Sequence, residues 1–433
     1  MASKTPAPPK PEAAATATGK PGLWANPDFL KLWAGQSLSL FGSQVTIFAL
    51  PLVAVVMLDA TAGQMGLLGA LARAPFVLFL FAGVWADRYR RRPTMIWTDF
   101  GRCVLIGLLP LAWFAGVLNL TWLYVVALLV GVLGVFFEVA NQAYLPSLVG
   151  SEHIAEGNAK MQISTSIAQV SGPSLGAGLL AVFSAASLLV VDAVSYLFSG
   201  VASALIRRPE ERPGGQGRNP HVFSAMGAGI LWVWRHRLMR PMLLAITLFM
   251  LFGTGIQVQY VLYARRTLNL SPSLIAVTLA FLGIGAIVGS TMSLRVLRRV
   301  GPGPAAFWAT AIGNAVLLLI PAATGPMWLK VGMLSAAQVI TGATAPIAMV
   351  GMGSLRMHLT PNNMQGRVVA TFRGLSLGLA PVGALISGLL GGAIGLRPTM
   401  YVLALGVLAP PLVILFSPVA GTRTFPAPPS EAT

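Results

Sequence analysis

Five ionisable residues, Arg73, Asp99, Arg102, Glu138 and Asp192, stand inside apolar runs of a chain in which only 9% of residues are charged. A charge taken out of water is expensive, so each of these groups is expected to face protein or water and to mark a site. The chemistry open to them is proton uptake and release. A carboxylate holds a proton when desolvated and yields it when a cation or water approaches. Glu138 and Asp192 are the candidates for that work. Asp99 and Arg102 are three apart on one helix and can pair; the pair is either structural or part of a wider conformational network. Arg73 is expected to partner Glu138 or Asp192. Glu138 falls towards the cytoplasmic end of its span. Asp192 falls near the outer end of its span, where hydration alone would satisfy it.

Bond-breaking chemistry has less support. Gly172-Pro-Ser174-Leu-Gly176 fits the pattern G-x-S-x-G, but that motif needs a strand–turn–helix setting and this one lies in an apolar helical run. No G-x-x-x-x-G-K-[ST] occurs, so no phosphate-binding loop for ATP is expected. The single cysteine, Cys103, and the histidines at 153, 221, 236 and 358 form no metal-ligand spacing. No catalytic cluster, cofactor or metal is expected, and the energy source would be a proton gradient. A membrane-bound enzyme or a receptor is a remote alternative.

The elements that position these residues follow from composition. The chain has 433 residues, is 55% hydrophobic and has a mean hydropathy of +0.76. Several apolar runs exceed the roughly 18 residues that suggest a membrane helix. They do not alternate as barrel strands would. Turn residues and charges divide them into twelve segments near 31–58, 64–86, 94–118, 120–145, 158–183, 187–206, 240–264, 272–296, 304–322, 327–355, 366–391 and 397–417. The expected class is an all-α polytopic membrane protein.

The net charge of +17 is assigned to topology and anionic headgroups, not to nucleic acid. Most of the 29 Lys and Arg fall in the tails and even-numbered loops. Arg265, Arg266, Lys330 and Arg397 fall on the opposite side, and Arg73 and Arg102 lie within spans. The excess predicts that both termini are cytoplasmic. Residues 1–28 read as a disordered tail, 29–206 as a six-helix bundle, 207–239 as a cytoplasmic linker, 240–417 as a second bundle and 418–433 as a tail. The linker opens on a flexible RRPEERPGGQGRNP and continues as an interfacial amphipathic helix. Gly83, Leu145-Pro146 and Gly172-Pro173 recur in the second bundle as Gly289, Thr360-Pro361 and Ala380-Pro381, at offsets of about 210, which suggests an internal duplication.

Several polar residues can line a cavity between the bundles: Gln36, Ser39, Ser43, Gln44, Asn141, Gln142, Gln257, Gln259 and Gln338. Gln36, Ser39 and Ser43 share one helical face. Helix–helix hydrogen bonding is the alternative for each. Gly172 and Gly176, Gly285 and Gly289, and Gly388 and Gly392 form small-xxx-small pairs suited to close packing. Gly172-Pro173 would bend its span.

The loop after the second span reads Gly83-Val-Trp-Ala-Asp87-Arg88-Tyr89-Arg90-Arg91-Arg92. It resembles the major facilitator superfamily pattern G-x-x-x-D-R-x-G-R-[RK], with Arg90 in place of the glycine. Gly172, Pro173 and Gly176 match the core of a pattern associated with that family's exporters, whose outer glycines are Ala159, Ala168 and Ala177 here. A third family pattern, an arginine in span four, is absent. LWAGQSLSLFGSQV, FFEVANQAYLPSLV and LVVDAVSYLFSG resemble the bacterial branch of enterobactin and macrolide exporters.

The resemblance implies two pseudo-symmetric six-helix bundles that rock around a central cavity in the bacterial inner membrane. It implies a monomeric antiporter that exports a small amphipathic molecule such as a drug, macrolide or siderophore against inward proton flow, with multidrug resistance as its outcome. Import of a solute or movement of a lipid on the same fold is the alternative. The loop becomes a latch formed by Gly83, Asp87, Arg88 and Arg91, with Asp87 accepting from the helix N-terminus near Gln365–Arg367. Arg90 and Arg92 are expected only to anchor the loop. Gly172, Pro173 and Gly176 would help to seal the site against proton leak.

Overall fold

The computed structural model describes residues 23–79, 89–183, 185–208, 210, 222–361 and 364–425. Of the residues read as tails, 1–28 and 418–433, those at 1–22 and 426–433 lie outside that set.

The described chain is helical throughout, with no strand among the described residues. We number the helical segments α1 Pro27–Met57, α2 Ala62–Leu78, α3 Arg91–Phe114, α4 Leu120–Val149, α5 Ile154–Val182, α6 Ala185–Ala204, α7 Val222–Arg235, α8 Met239–Arg266, α9 Pro272–Val300, α10 Pro302–Ala322, α11 Met327–Leu359, α12 Gln365–Ala393 and α13 Leu396–Leu415. Ten are long and apolar enough to cross a bilayer. α2 is shorter and α5 less apolar, and they stand where the sequence places spans two and five. α7 is the amphipathic linker helix and packs on α8 and α12.

Local signals set the boundaries. Asn26 caps α1, its Oδ1 accepting from the amides of Asp28 and Phe29. Thr61 and Gln64 form a capping box at α2. Pro51 interrupts α1, which ends in a π-helical turn at Val53–Met57. α5 runs as one helix through Gly172 and Pro173, and α12 breaks at Leu379, just before Ala380-Pro381.

In the first bundle α1 packs on α5 and α6, and α3 packs on α4 and α6. In the second, α11 packs on α9 and α10, and α8 on α12 and α13. The halves meet where α2 lies on α12 and α5 lies on α9. We call the end that carries Pro27 and Met239 the near end.

Glycines permit the closest approaches. A Cβ on Gly285 would stand 2.0 Å from the Val339 carbonyl oxygen, and one on Gly289 2.1 Å from that of Ala343. Both glycines are therefore taken up by packing within the second bundle. Gly388 meets Gly66 across the halves: a Cβ on Gly66 would lie 2.7 Å from the Gly388 Cα. Gly392 has open space around its Cα.

The far-end cations that depart from the charge pattern all have partners. Arg265 donates to the Leu270 carbonyl, Lys330 to that of Leu268, and Arg397 to the Tyr263 hydroxyl and the Ala323 carbonyl. Arg266 reaches Asp59 of the first half through both its carbonyl and its carboxylate. These groups hold loops, which is why the loops tolerate them.

Candidate functional site

A cavity of about 420 Å³ lies between the halves. The first half contributes Phe48, Pro51, Arg73 and Phe76, and the second contributes Phe249, Gln257, Tyr260, Gln338 and others. Arg73 is the sole charged residue among its described lining. Its Nη2 donates to Gln257 Oε1 at 2.7 Å and its Nη1 to the Gly69 carbonyl at 3.2 Å. The arginine therefore pairs with an amide of the opposite half, not with Glu138 or Asp192. Arg73 ends the α-helical part of α2, and the 3-10 turn at Ala74–Leu78 follows it.

Glu138 finds a cation elsewhere. Arg373 Nη1 donates to Glu138 Oε1 at 3.1 Å, and Gln142 Nε2 donates to the same oxygen at 3.1 Å. Arg373 belongs to the second half, so this ion pair also spans the molecule. The Arg373 and Glu138 side chains keep 54% and 40% of their exposure, so the pair is about half-exposed.

The other three charges form a dry cluster inside the first bundle. Arg102 pairs with Asp99 one turn before it on α3. Its guanidinium carbon stands 4.3 Å from the Phe137 ring centroid and 4.4 Å from that of Tyr196, a cation–π sandwich. Asp192 is fully buried, which corrects the hydrated position read from the sequence. It accepts from Thr46 of α1 and from Ser195 one turn later on α6. Gly42 makes room for it: a Cβ there would come within 2.7 Å of Asp192 Oδ1.

The cavity candidates divide. Gln257 and Gln338 line the cavity. Gln36 pairs with Asn141 through two amide hydrogen bonds. Ser43 meets the Tyr196 hydroxyl at 2.9 Å, and Ser39 is buried. The shared face of Gln36, Ser39 and Ser43 thus turns into the first bundle, where packing satisfies it. Gln259 is buried against the far-end contact and donates to the Ala62 carbonyl. Gln44 packs on Gly172, where a Cβ would approach within 2.4 Å, and Phe48 packs on Gly176.

Gly83, Asp87 and Arg88 of the expected latch lie outside the described residues. Arg91 does not cross to the second half through the hydrogen bond found for it: it donates to the Ala143 carbonyl of α4. Arg92 does more than anchor. Its Nε donates to the Ser203 carbonyl and its Nη2 to that of Ala204, capping the C-terminus of α6. Arg208 likewise donates to Leu148 O, and Lys31 to Leu205 O. The sequence reading missed Glu210. Its carboxylate accepts from the amides of Arg91 and Arg92 at 2.6 and 3.1 Å, at the positive N-terminus of α3. The available signal was an acid close behind the Arg207-Arg208 pair at a span end.

Comparison with known proteins agrees with this architecture. The profile described as Major Facilitator Superfamily matches residues 32–381. The chain belongs to the Major Facilitator Superfamily. Members of this family are transporters and not enzymes, so the chain is a multi-pass membrane transporter with a small-molecule substrate.

It is 24% identical over 403 residues to the multidrug efflux pump Tap of Mycobacterium tuberculosis, covering 90% of this chain and 93% of that one. It is 24% identical over 266 residues to macrolide efflux protein A of Streptococcus pyogenes, covering 61% and 65%. The Major Facilitator fold is shared with a bacterial homologue of the iron transporter ferroportin, with a TM-score of 0.68 at 16% identity and coverage of 90% and 98%. It is also shared with the nucleoside transporter NupG as a D323A mutant, at 0.67, 12%, 90% and 99%.

Proposed function

We propose that this chain is a proton-coupled exporter of small amphipathic molecules, working as a monomer by alternating access with both termini in the cytoplasm. The observation that carries the reading is the Glu138–Arg373 pair, a titratable contact between halves that also enclose a cavity. The relatives named as efflux pumps support the direction.

Ionised Glu138 holds Arg373 of the opposite half. Protonation removes the anion and leaves the cation to water, which loosens that contact. A half-exposed pair is worth about 0.2–1 kcal/mol. That shifts a two-state population by a factor of about 1.4 to 5, while the gradient supplies the work. Arg73 and Gln257 sit on opposite walls of the cavity, and the aromatic rings beside them suit an apolar or aromatic body with a hydrogen-bond acceptor.

The test is uptake into everted membrane vesicles across a panel of dyes, macrolides and siderophores. The expected result is accumulation that an uncoupler abolishes; no such accumulation for any compound would overturn the proposal. Import is the second reading, favoured by the fold shared with a nucleoside transporter. A deletion strain sensitive to toxic compounds supports export, and one impaired only on limiting nutrients supports import.

A further inference from the structure

A second cavity, about 340 Å³, lies wholly within the second bundle between α8, α10, α11, α12 and α13. It shares Phe249, Met250 and Thr341 with the central cavity, so the two cavities are neighbours across these side chains. Its wall carries Met242, Met250, Met349 and Met352, whose unbranched thioethers adapt to varied apolar shapes.

The hydrogen-bonding groups of this wall are mostly committed to protein. Thr310 and Thr344 donate to carbonyls one turn back, Thr341 donates to Gly313 O, and Asn314 Nδ2 donates to Val407 O at 2.6 Å. The exception is Arg356. Its Nε is buried without a hydrogen-bond partner, and its guanidinium carbon lies 5.2 Å from the Phe372 ring centroid. No Asp or Glu stands among the described lining residues. The side chain as a whole is half-buried and no lining acid balances its charge, so an anionic group arriving there would gain a charge-assisted contact.

We propose that this pocket binds an amphipathic monoanion, with its carboxylate or sulfonate at Arg356 and its flexible apolar body along the methionines. The assignment deepens the export reading above and rests on it for the role of the bound molecule as cargo.

The test uses the full chain in phosphatidylcholine nanodiscs, with dansylaminoundecanoic acid and its primary amide as fluorescent probes. The acid should bind at least about tenfold more tightly than the amide, the scale of one charge-assisted hydrogen-bonded contact. Arg356→Gln should abolish that preference by weakening the acid much more than the amide, and Arg356→Lys should retain part of it. Met349→Trp, which fills the pocket, should weaken both probes, whereas Arg73→Gln should leave the preference intact. Thermal melting of each variant identifies any that fail to fold, and Arg356→Lys then carries the comparison.

Equal binding of acid and amide, no binding of either, or a preference that vanishes with Arg73→Gln and survives Arg356→Gln would overturn the site. Displacement of the acid by phosphatidylglycerol built into the nanodisc would assign the pocket to membrane lipid and overturn the cargo reading. Vesicle export of other compounds is read separately. Intact export without the acid preference overturns this site alone, and lost export with the preference intact overturns the transport reading alone.

Discussion

Arg73 of the first half and Gln257 of the second are joined by a 2.7 Å hydrogen bond across the central cavity. The guanidinium stays in the apolar interior because the amide and the Gly69 carbonyl together take two of its donors. Rocking of the halves must stretch or break the first of these bonds and can leave the second untouched, since Gly69 lies one turn away on the same helix. Hydrogen bonds to charged groups contribute about 1.5–3 kcal/mol. Arg73→Met is therefore expected to lower initial export rates about tenfold or more, with protein amount in the membrane unchanged. Gln257→Leu should do the same, and the double variant should be little worse than either single one. A double-mutant cycle on initial rates checks this; additive losses would mean that the two residues act apart.

The Gly66–Gly388 contact closes the far ends. A Cβ on Gly388 would stand 2.9 Å from the Gly66 Cα and 3.0 Å from the Ala62 carbonyl oxygen, both backbone atoms with little room to give. Overpacking of this kind costs about 1–3 kcal/mol. Only the state with joined far ends bears that cost. Gly388→Val should trap the halves apart at that end and reduce export, with Gly392→Val as the mild control because its surroundings are open. Labelling of a cysteine placed at Ala62, in a Cys103→Ser background, should speed up in the first variant and not in the second.

Arg92 tests whether the basic loop is more than topology. It bonds two carbonyls at the C-terminus of α6, where the helix dipole favours a cation. Arg92→Gln should cost about 1–2 kcal/mol of stability. Arg90 is the exposed N-cap of α3, a position that tolerates glycine, so Arg90→Gly should be nearly silent. Melting temperatures of the purified variants separate them; equal, mild shifts would leave both residues as anchors.

His236 predicts a pH effect on stability. Its Nδ1 accepts from the amides of Leu238 and Met239 at 3.2 and 3.3 Å, ahead of α8, so the ring is bound as the neutral base. Burial holds its pKa below the ordinary value of 6.5. With a depressed folded pKa, the contribution is complete above about pH 6.5 and fades as pH falls through the lower folded value. A cap of this kind is worth about 1 kcal/mol. His236→Asn keeps an acceptor but does not titrate. The melting-temperature difference between wild type and this variant should therefore move in favour of the variant between pH 7.5 and pH 5; a difference that stays constant would show that the ring does not titrate with folding.

Hydropathy runs and turn residues made the helices legible, because apolar length alone decides what can cross a bilayer. Azimuth was not legible. Gln36, Ser39 and Ser43 do share one face, but helical spacing cannot say that this face meets Asn141 and Tyr196 inside the first bundle and not the central cavity. Partners distant in sequence were equally hidden. Arg373 counted as one more basic residue near a loop until α12 brought it to Glu138, 235 positions away. Glu210 was hidden for the same reason, since nothing in its own segment points to the start of α3. The far-end cations looked like exceptions because their partners are backbone carbonyls, which carry no residue signature, or side chains distant in sequence, Asp59 for Arg266 and Tyr263 for Arg397.

The central claim is that proton movement and substrate movement share the Glu138–Arg373 contact. The most direct measurement is internal pH in proteoliposomes, read by a trapped dye as a substrate identified in the vesicle panel is added. Wild type should show substrate-dependent proton movement opposite to the substrate. Glu138→Gln keeps size and hydrogen bonding and cannot titrate, so it should abolish the proton signal while substrate exchange down its gradient continues. A Glu138→Gln protein that still moves protons with substrate would contradict the account, as would a wild type that moves substrate with no proton signal at all.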